Sequence, residues 1–303
     1  MYFCRDLIRC QDSFHINPVL KQRVAPDRGQ ARTESMDVQT QSLLLQLNRR
    51  FYERTAIHFD ATRQGWTPGL RAILPYFERG VKDKLTVLDV GCGNGRFARL
   101  LANESVKARY VGVDGSAQLL QLARRSAAGL SGVECLFLQA DLARPDWLAM
   151  LTGVMREDTG GPATVGEDRK ALFDIVLCTA TLQHLPGYGL RLRLLRDFRR
   201  LTNGYIILSF WQFLSRERFV AKLVDPRTVG VDPAALEAGD GLLPWKQGVE
   251  AIRYVHQVDG VELDHLAADA GLTVVHAFRA DGKREEASSS GLLPGLNLYA
   301  VLR

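Results

Sequence analysis

Residues 85–101, LTVLDVGCGNGRFARLL, constrain the fold more than any other stretch of this chain. An apolar, β-branched run from Leu85 to Val90 breaks into Gly91, Gly93 and Gly95. A helical pattern then places Phe97, Leu100 and Leu101 on one side. This predicts strand, glycine turn and helix, the opening unit of a nucleotide-binding α/β sheet. The glycines allow a tight bend and leave no Cβ between backbone and ligand, and the amides that open the helix face that ligand.

The spacing separates two ligand classes. A dinucleotide fingerprint reads G-x-G-x-x-G and seats a pyrophosphate on the helix N-terminus. Here the spacing is G-x-G-x-G, and Asp89 stands two residues before the first glycine. A carboxylate there repels a pyrophosphate and suits a cation. S-adenosylmethionine (SAM) carries an ammonium and a sulfonium and no phosphate. A second strand, Arg109 to Asp114, ends in an acid where a ribose is expected, and an ionised Asp only accepts hydrogen bonds, which suits a diol. A third strand, Val133 to Ala140, ends at Asp141 and Leu142.

Three strand-end acids in this order, with this glycine turn, resemble the class I SAM-dependent methyltransferases. The resemblance implies an α/β fold: a seven-stranded Rossmann-like sheet with helices on both faces and a C-terminal antiparallel hairpin. It implies a cofactor site made of Asp89, Gly91, Cys92, Gly93, Asn94, Gly95, Asp114, Gly115, Ser116, Asp141 and Leu142. Thr179, at the end of the fourth strand (Phe173 to Cys178), is expected beside the transferred methyl group.

Composition adds limits. At 303 residues the chain suits one large domain, and 46% hydrophobic and 24% charged residues are ordinary for a soluble globular protein. A net charge of +5 permits an anionic partner without demanding one. No apolar stretch approaches a membrane span, and charges interrupt the N-terminus too early for a signal-peptide core. Five cysteines (4, 10, 92, 135 and 178) have no close-paired ligand spacing. Reduced thiols in a cytoplasmic protein are expected, with no metal site.

Residues 1–36 have mixed charge and no sustained period, which reads as a disordered tail or an upstream start to the reading frame with the working protein beginning near Met36, or else as a short docked helix. Residues 37–303 read as one domain. In 37–80 two helices are predicted. Leu43, Leu44, Leu47 and Phe51 mark the first, and Thr67-Pro68 opens a second that runs to Gly80. Lying before the cofactor strand, they are expected to fold over its pocket as a lid. Arg63 between them either reaches the methionine carboxylate or is a surface arginine. Residues 155–170 read as a flexible insertion, and 211–260 as an insertion near the substrate. The helix Leu190–Leu201 carries five arginines against Asp197, either a solvated face or a nucleic-acid contact.

A closer resemblance lies in the flanking segments. Phe51-Tyr52, Phe59 to Arg63 and Pro68 are similar to the start of the tRNA wobble-uridine carboxymethyl methyltransferases. So are Gly239-Asp240, Leu243-Pro244-Trp245, Arg253-Tyr254 with His256, and Asn297-Leu298-Tyr299. Gln183 and Val255 depart from that pattern. The resemblance implies methylation of a carboxylate on a modified tRNA uridine, beside a small activator protein. The expected substrate residues are Trp245, Lys246, Arg253, Tyr254 and His256. They either stack on and neutralise an unpaired RNA loop or, for the aromatics, fill a core. A carboxylate is already ionised at neutral pH, so His184 is expected to position the acceptor, to cap a helix, or to take a proton from a hydroxyl, phenol or amine. The alternatives are a small-molecule methyltransferase and a SAM-binding regulatory subunit.

Overall fold

The computed structural model describes residues 36–78, 83–159, 172–280 and 295–303. The tail before Met36 lies outside them, as do residues 160–170 of the expected insertion. Seven strands form the main sheet: β1 (Leu85–Val90), β2 (Ala108–Asp114), β3 (Val133–Gln139), β4 (Phe173–Thr179), β5 (Thr202–Trp211), β8 (Val274–Ala280) and β9 (Asn297–Leu302). Between β5 and β8 in sequence, β6 (Asp240–Trp245) and β7 (Ala251–His256) make a separate hairpin. The sheet order is β3-β2-β1-β4-β5-β9-β8. The first five strands are parallel, and β9 enters antiparallel between β5 and β8. The direction of winding reverses between β1 and β4, so the crevice at their carboxyl ends is where a ligand of an open α/β sheet belongs.

Side-chain alternation along β1 divides the interior in two. Leu88 and Val90 face one apolar core with Trp147, Leu194 and Leu266, while Val87 faces another with Phe97, Leu101 and Leu120. The helices covering these faces include α4 (Arg96–Asn103), α5 (Ala117–Ala127), α6 (Trp147–Thr159), α7 (Tyr188–Leu201) and α9 (Gly260–Asp269). Before the sheet comes α1 (Val38–Ala61), capped by the Asp37 side chain on the Thr40 N–H at 2.9 Å.

The second expected helix is two pieces, α2 (Pro68–Ala72) and α3 (Pro75–Glu78). Pro75 has no N–H to donate and disfavours helical geometry at Leu74, so one continuous helix cannot form. The insertion expected from 155 begins later than the sequence pattern suggests, because residues 155–159 complete α6. Residues 211–260 hold short turns, the single-turn α8 (Glu217–Val220) and the β6–β7 hairpin.

The arginines of α7 are not a free basic face. Arg193 donates to the Leu142, Ala143 and Arg144 carbonyls at 2.8–3.0 Å. Arg196 and Arg199 donate to the Asp269 and Ala270 carbonyls at the end of α9, groups a helix leaves unsatisfied. Arg200 pairs with Asp197, whose other oxygen accepts the Trp147 indole N–H at 2.9 Å. Arg191 is 1% exposed and held by Glu237 at 2.8 Å and Glu262 at 2.9 Å. Glu262 also reaches His256, which is bonded on its other ring nitrogen to Asp240. Glu237, Asp240 and His256 lie close enough to share a metal ion, but the cation beside them is the Arg191 guanidinium.

This cluster ties α7, α9 and the hairpin together. Removing one partner from a buried ion network leaves charge uncompensated and costs about 3 kcal/mol or more. Glu262→Ala is therefore expected to lower the melting temperature by several degrees while SAM affinity stays at the wild-type value. Thermal melts and calorimetry of the variant check both.

Candidate cofactor and acceptor site

A continuous cleft of ≈ 3240 Å³ opens at the carboxyl ends of β1, β2 and β4. It exceeds several-fold the roughly 300–1,000 Å³ of a pocket for one small molecule, so it has room for two. One half is walled by the glycine turn and the strand-end acids, the other by α1, the 211–222 segment and the hairpin.

In the first half, Gly91, Gly93 and Gly95 all have positive φ (76°, 56° and 69°). A Cβ on Gly91 would sit 2.1 Å from the Thr181 hydroxyl, so the turn has no room for one. At Gly93 a Cβ would stand in open space, which is where a ligand gains close access to the backbone. Asp114 accepts the Gly93 N–H at 2.9 Å and the Ser116 N–H at 2.8 Å, one on each oxygen. Its remaining lone pairs are free for a diol, and burial raises its pKa. Ser116 caps α5 through the Leu119 N–H.

Asp89 is buried at 3% exposure. One of its oxygens accepts the Tyr110 hydroxyl, and the other is buried with no hydrogen-bond partner. Burial pushes its pKa up to about 7, against the pull of Tyr110 and Arg96. An unsatisfied carboxylate oxygen beside the cleft fits the ammonium of SAM. Two cations fit its carboxylate. Arg63 lines the cleft over the Phe59 ring, 4.8 Å from its centroid, and burial lowers its pKa. Arg96 is pulled down to about 10 by burial and by Arg63. Neither forms an ion pair with a carboxylate among the described residues.

The other expected cofactor residues have mixed placements. Cys92, Gly115, Leu142 and Thr179 line the cleft. Asn94 lines it too, but its side chain braces the turn against α1, donating to Asp60 at 2.7 Å. Asp141 is paired with Arg49 of α1 and accepts the Ala143 N–H. After Thr179 comes Ala180 with φ 52°, a strained conformation for a residue with a Cβ, held by its N–H on the Ser209 carbonyl at 2.9 Å.

In the second half, Arg253 lies within 6 Å of three rings: Trp211 at 5.0 Å, Phe51 at 5.4 Å and Trp245 at 5.9 Å. The Tyr52 hydroxyl is beside it, its Nε is buried without a partner, and no carboxylate pairs with it among the described residues. Trp245 and Lys246 also line the cleft. Tyr254 and His256 do not. Tyr254 is fully buried with its hydroxyl on Asp240, and His256 belongs to the Arg191 cluster. Strand alternation explains this: Arg253 faces the cleft, so Tyr254 faces the opposite side of β7.

His184 lines the cleft, and its Nδ1 lies 3.0 Å from the Tyr254 carbonyl. Burial, and then the Arg253 charge, lower its pKa to about 4, so it is neutral at physiological pH. Sequence reasoning missed Asn48, Tyr52, Arg96 and Trp211 as cleft residues. Asn48 left a signal, since it is a polar residue in the otherwise apolar Leu44–Phe51 stripe of α1.

A family model described as a methyltransferase domain matches residues 59–277. Trans-aconitate 2-methyltransferase of Azoarcus sp. (strain BH72) is 36% identical over 239 residues, which is 67% of this chain and 83% of that protein. Ubiquinone biosynthesis O-methyltransferase of Serratia proteamaculans is 35% identical over 107 residues, 35% of this chain and 34% of that protein. Among solved structures, a SAM-dependent methyltransferase of Methanosarcina mazei aligns at TM-score 0.51 and 18% identity, over 75% of this chain and 96% of that one. Magnesium protoporphyrin IX methyltransferase of Synechocystis PCC 6803, with bound SAH, aligns at TM-score 0.51 and 17% identity, over 84% of this chain and 96% of that one. These structural likenesses show the fold. The tRNA wobble-uridine resemblance finds no support among these relatives.

Two outcomes are expected for cofactor binding. An Asp89 that titrates near 7 must be ionised to hold an ammonium, so affinity for SAM should fall about tenfold from pH 8 to pH 6. Asp89→Asn, which has no charge to titrate, should flatten that dependence; isothermal calorimetry at the two pH values checks it. Asp114→Ala removes charged acceptors worth about 1.5–3 kcal/mol, so SAM binding should weaken about tenfold or more by calorimetry, and the melting temperature should fall as well because the Gly93 and Ser116 N–H groups lose their acceptor.

Proposed function

We propose that this chain, which belongs to the class I SAM-dependent methyltransferases, transfers the methyl group to a carboxylate oxygen of a small acid. Arg253 carries the reading. Two arginines in the same molecule behave differently: the buried Arg191 is neutralised by Glu237 and Glu262, whereas the half-buried Arg253, its Nε shut away from water, sits among aromatic rings with no carboxylate among the described residues. A half-buried guanidinium with no carboxylate partner is stabilised by an anion brought to it, and its planar fork matches a carboxylate. The trans-aconitate named for the Azoarcus relative is such an acid.

SAM, when bound, supplies an electrophilic methyl group on a cationic sulfur. The residues of the chain then have little chemistry to perform. Arg253 holds the acceptor carboxylate, and Tyr52, Trp211 and Trp245 keep water from it, so catalysis rests on proximity and desolvation. No proton has to be removed from an ionised carboxylate. This agrees with His184, whose pKa of about 4 makes it a weak base at neutral pH. The arginines of α7 are bonded to neighbouring elements, and Tyr254 and His256 are buried, so much of the expected RNA-contacting set is engaged elsewhere.

The test is methyl transfer from tritiated SAM to a panel of mono-, di- and tricarboxylic acids (trans-aconitate included), alcohols and phenols, and total tRNA. Label should enter acids and be released as methanol by mild alkali, the mark of a methyl ester. Arg253→Gln should raise KM for the acid about 30-fold, the loss of about 2 kcal/mol from a charged hydrogen bond, without changing SAM affinity. Label entering tRNA in preference to every acid, or only alkali-stable products, would overturn the proposal.

A further inference from the structure

Three hydrogen bonds close a ring beneath the acceptor half of the cleft. The buried Asn48 side chain donates to the His184 carbonyl at 3.1 Å and accepts the Tyr254 N–H at 2.8 Å. The His184 ring completes the circuit through Nδ1 and the Tyr254 carbonyl at 3.0 Å. A carbonyl oxygen can only accept, so Nδ1 carries the proton and the neutral tautomer is fixed. Nε2 is then a lone-pair acceptor. It has no partner among the described residues, and its ring forms part of the cleft wall, edge-on to Tyr52 at 5.7 Å.

The same backbone that holds His184 carries Arg253, one residue before Tyr254. The acceptor chamber therefore presents a guanidinium and a neutral hydrogen-bond acceptor on one rigid frame. A carboxylate satisfies the first, but its lone pairs repel the second. An acid offering a carboxylate alone leaves the desolvated Nε2 unsatisfied when it displaces water from the cleft.

Building on the carboxylate reading above, we propose that the acceptor is a hydroxycarboxylic acid, whose hydroxyl donates to His184 Nε2 while Arg253 holds the carboxylate that is methylated. His184 is then a specificity-determining residue. The hydroxyl keeps its proton, the bond formed is between the methyl carbon and a carboxylate oxygen, and the bond broken is from that carbon to the cofactor sulfur. The low basicity of His184 agrees with a role that accepts a hydrogen bond without taking the proton. Asn48 acts through His184 as a positioning residue.

Matched acids that differ by a hydroxyl test this: malate with succinate, citrate with propane-1,2,3-tricarboxylate, and salicylate with benzoate. Each is titrated by calorimetry into wild-type protein saturated with S-adenosylhomocysteine, and each is assayed for methyl ester formation. At least one hydroxy acid should bind and turn over about tenfold better than its partner. His184→Phe keeps an aromatic ring without the acceptor, so it should abolish that preference while leaving SAM affinity unchanged. His184→Gln, which offers an amide oxygen, should restore part of it. Equal binding and turnover within every pair would overturn the assignment, as would a preference that survives in folded His184→Phe. A methyl group found on the hydroxyl as an alkali-stable ether would also overturn it, because His184 would then be a proton acceptor. Esters formed equally from both members of a pair would leave the carboxylate reading intact, whereas no ester from any acid would overturn both.

Discussion

The ion cluster around Arg191 is the interaction on which the acceptor half of this molecule depends. It is one anchor of a two-stranded hairpin that also packs on α1, joining Glu237 and Asp240 before and within β6, His256 at the end of β7, and Glu262 of α9 to the helix α7 packed on the main sheet. A buried cluster of this kind adds little net stability over apolar packing, but it is intolerant of losing a member. Together with the bonds of β7 to Asn48 and His184, it positions the hairpin relative to the sheet. Burial pulls the His256 imidazolium down, yet its bonds to Asp240 and Glu262 outweigh that and leave its pKa raised. Both ring nitrogens lie 2.7 Å from carboxylate oxygens, which only accept when ionised, and that geometry suits the imidazolium as a second cation of the cluster.

With the hairpin fixed, alternation along β7 divides the labour of adjacent residues. Tyr254 and His256 face the cluster, and Arg253 faces the cleft. The aromatic wall around Arg253 comes from three distant parts of the chain: Phe51 and Tyr52 from α1, Trp211 from the end of β5, and Trp245 from β6. These rings stabilise the guanidinium through their faces without neutralising it, worth about 2 kcal/mol for a desolvated pair. The charge remains available to a ligand. On the cofactor side the sign is mixed, with Asp89 and Asp114 opposite Arg63 and Arg96, as a zwitterionic ligand that also carries a sulfonium requires.

The strained Ala180 and the Asn48 ring both stand where the two halves meet. Ala180 is held in a left-handed conformation by Ser209 on β5, and His184 follows one short turn later. Strain of this kind persists where surrounding bonds over-determine the backbone. Here β5 holds Ala180, and β7 and α1 hold His184 four residues on.

The sequence by itself determined the sheet, the glycine turn and the acids at the strand ends. Those features are local: period-two apolar runs, glycines at positive φ and a carboxylate near the end of each of the first three strands are set by neighbours a few residues away. The Pro75 break is equally local, although the longer apolar pattern around it reads as one helix. Only the tertiary structure decided which polar residues are engaged with one another and which face the cleft. Five arginines on α7 look alike in sequence, yet one is buried between two glutamates and others cap distant carbonyls. Arg253, Tyr254 and His256 read as one substrate-binding cluster until the pleat of β7 sends them to opposite sides. Charge compensation depends on partners tens of residues away, Arg191 and Glu262 being 71 apart, and no local pattern encodes such a distance.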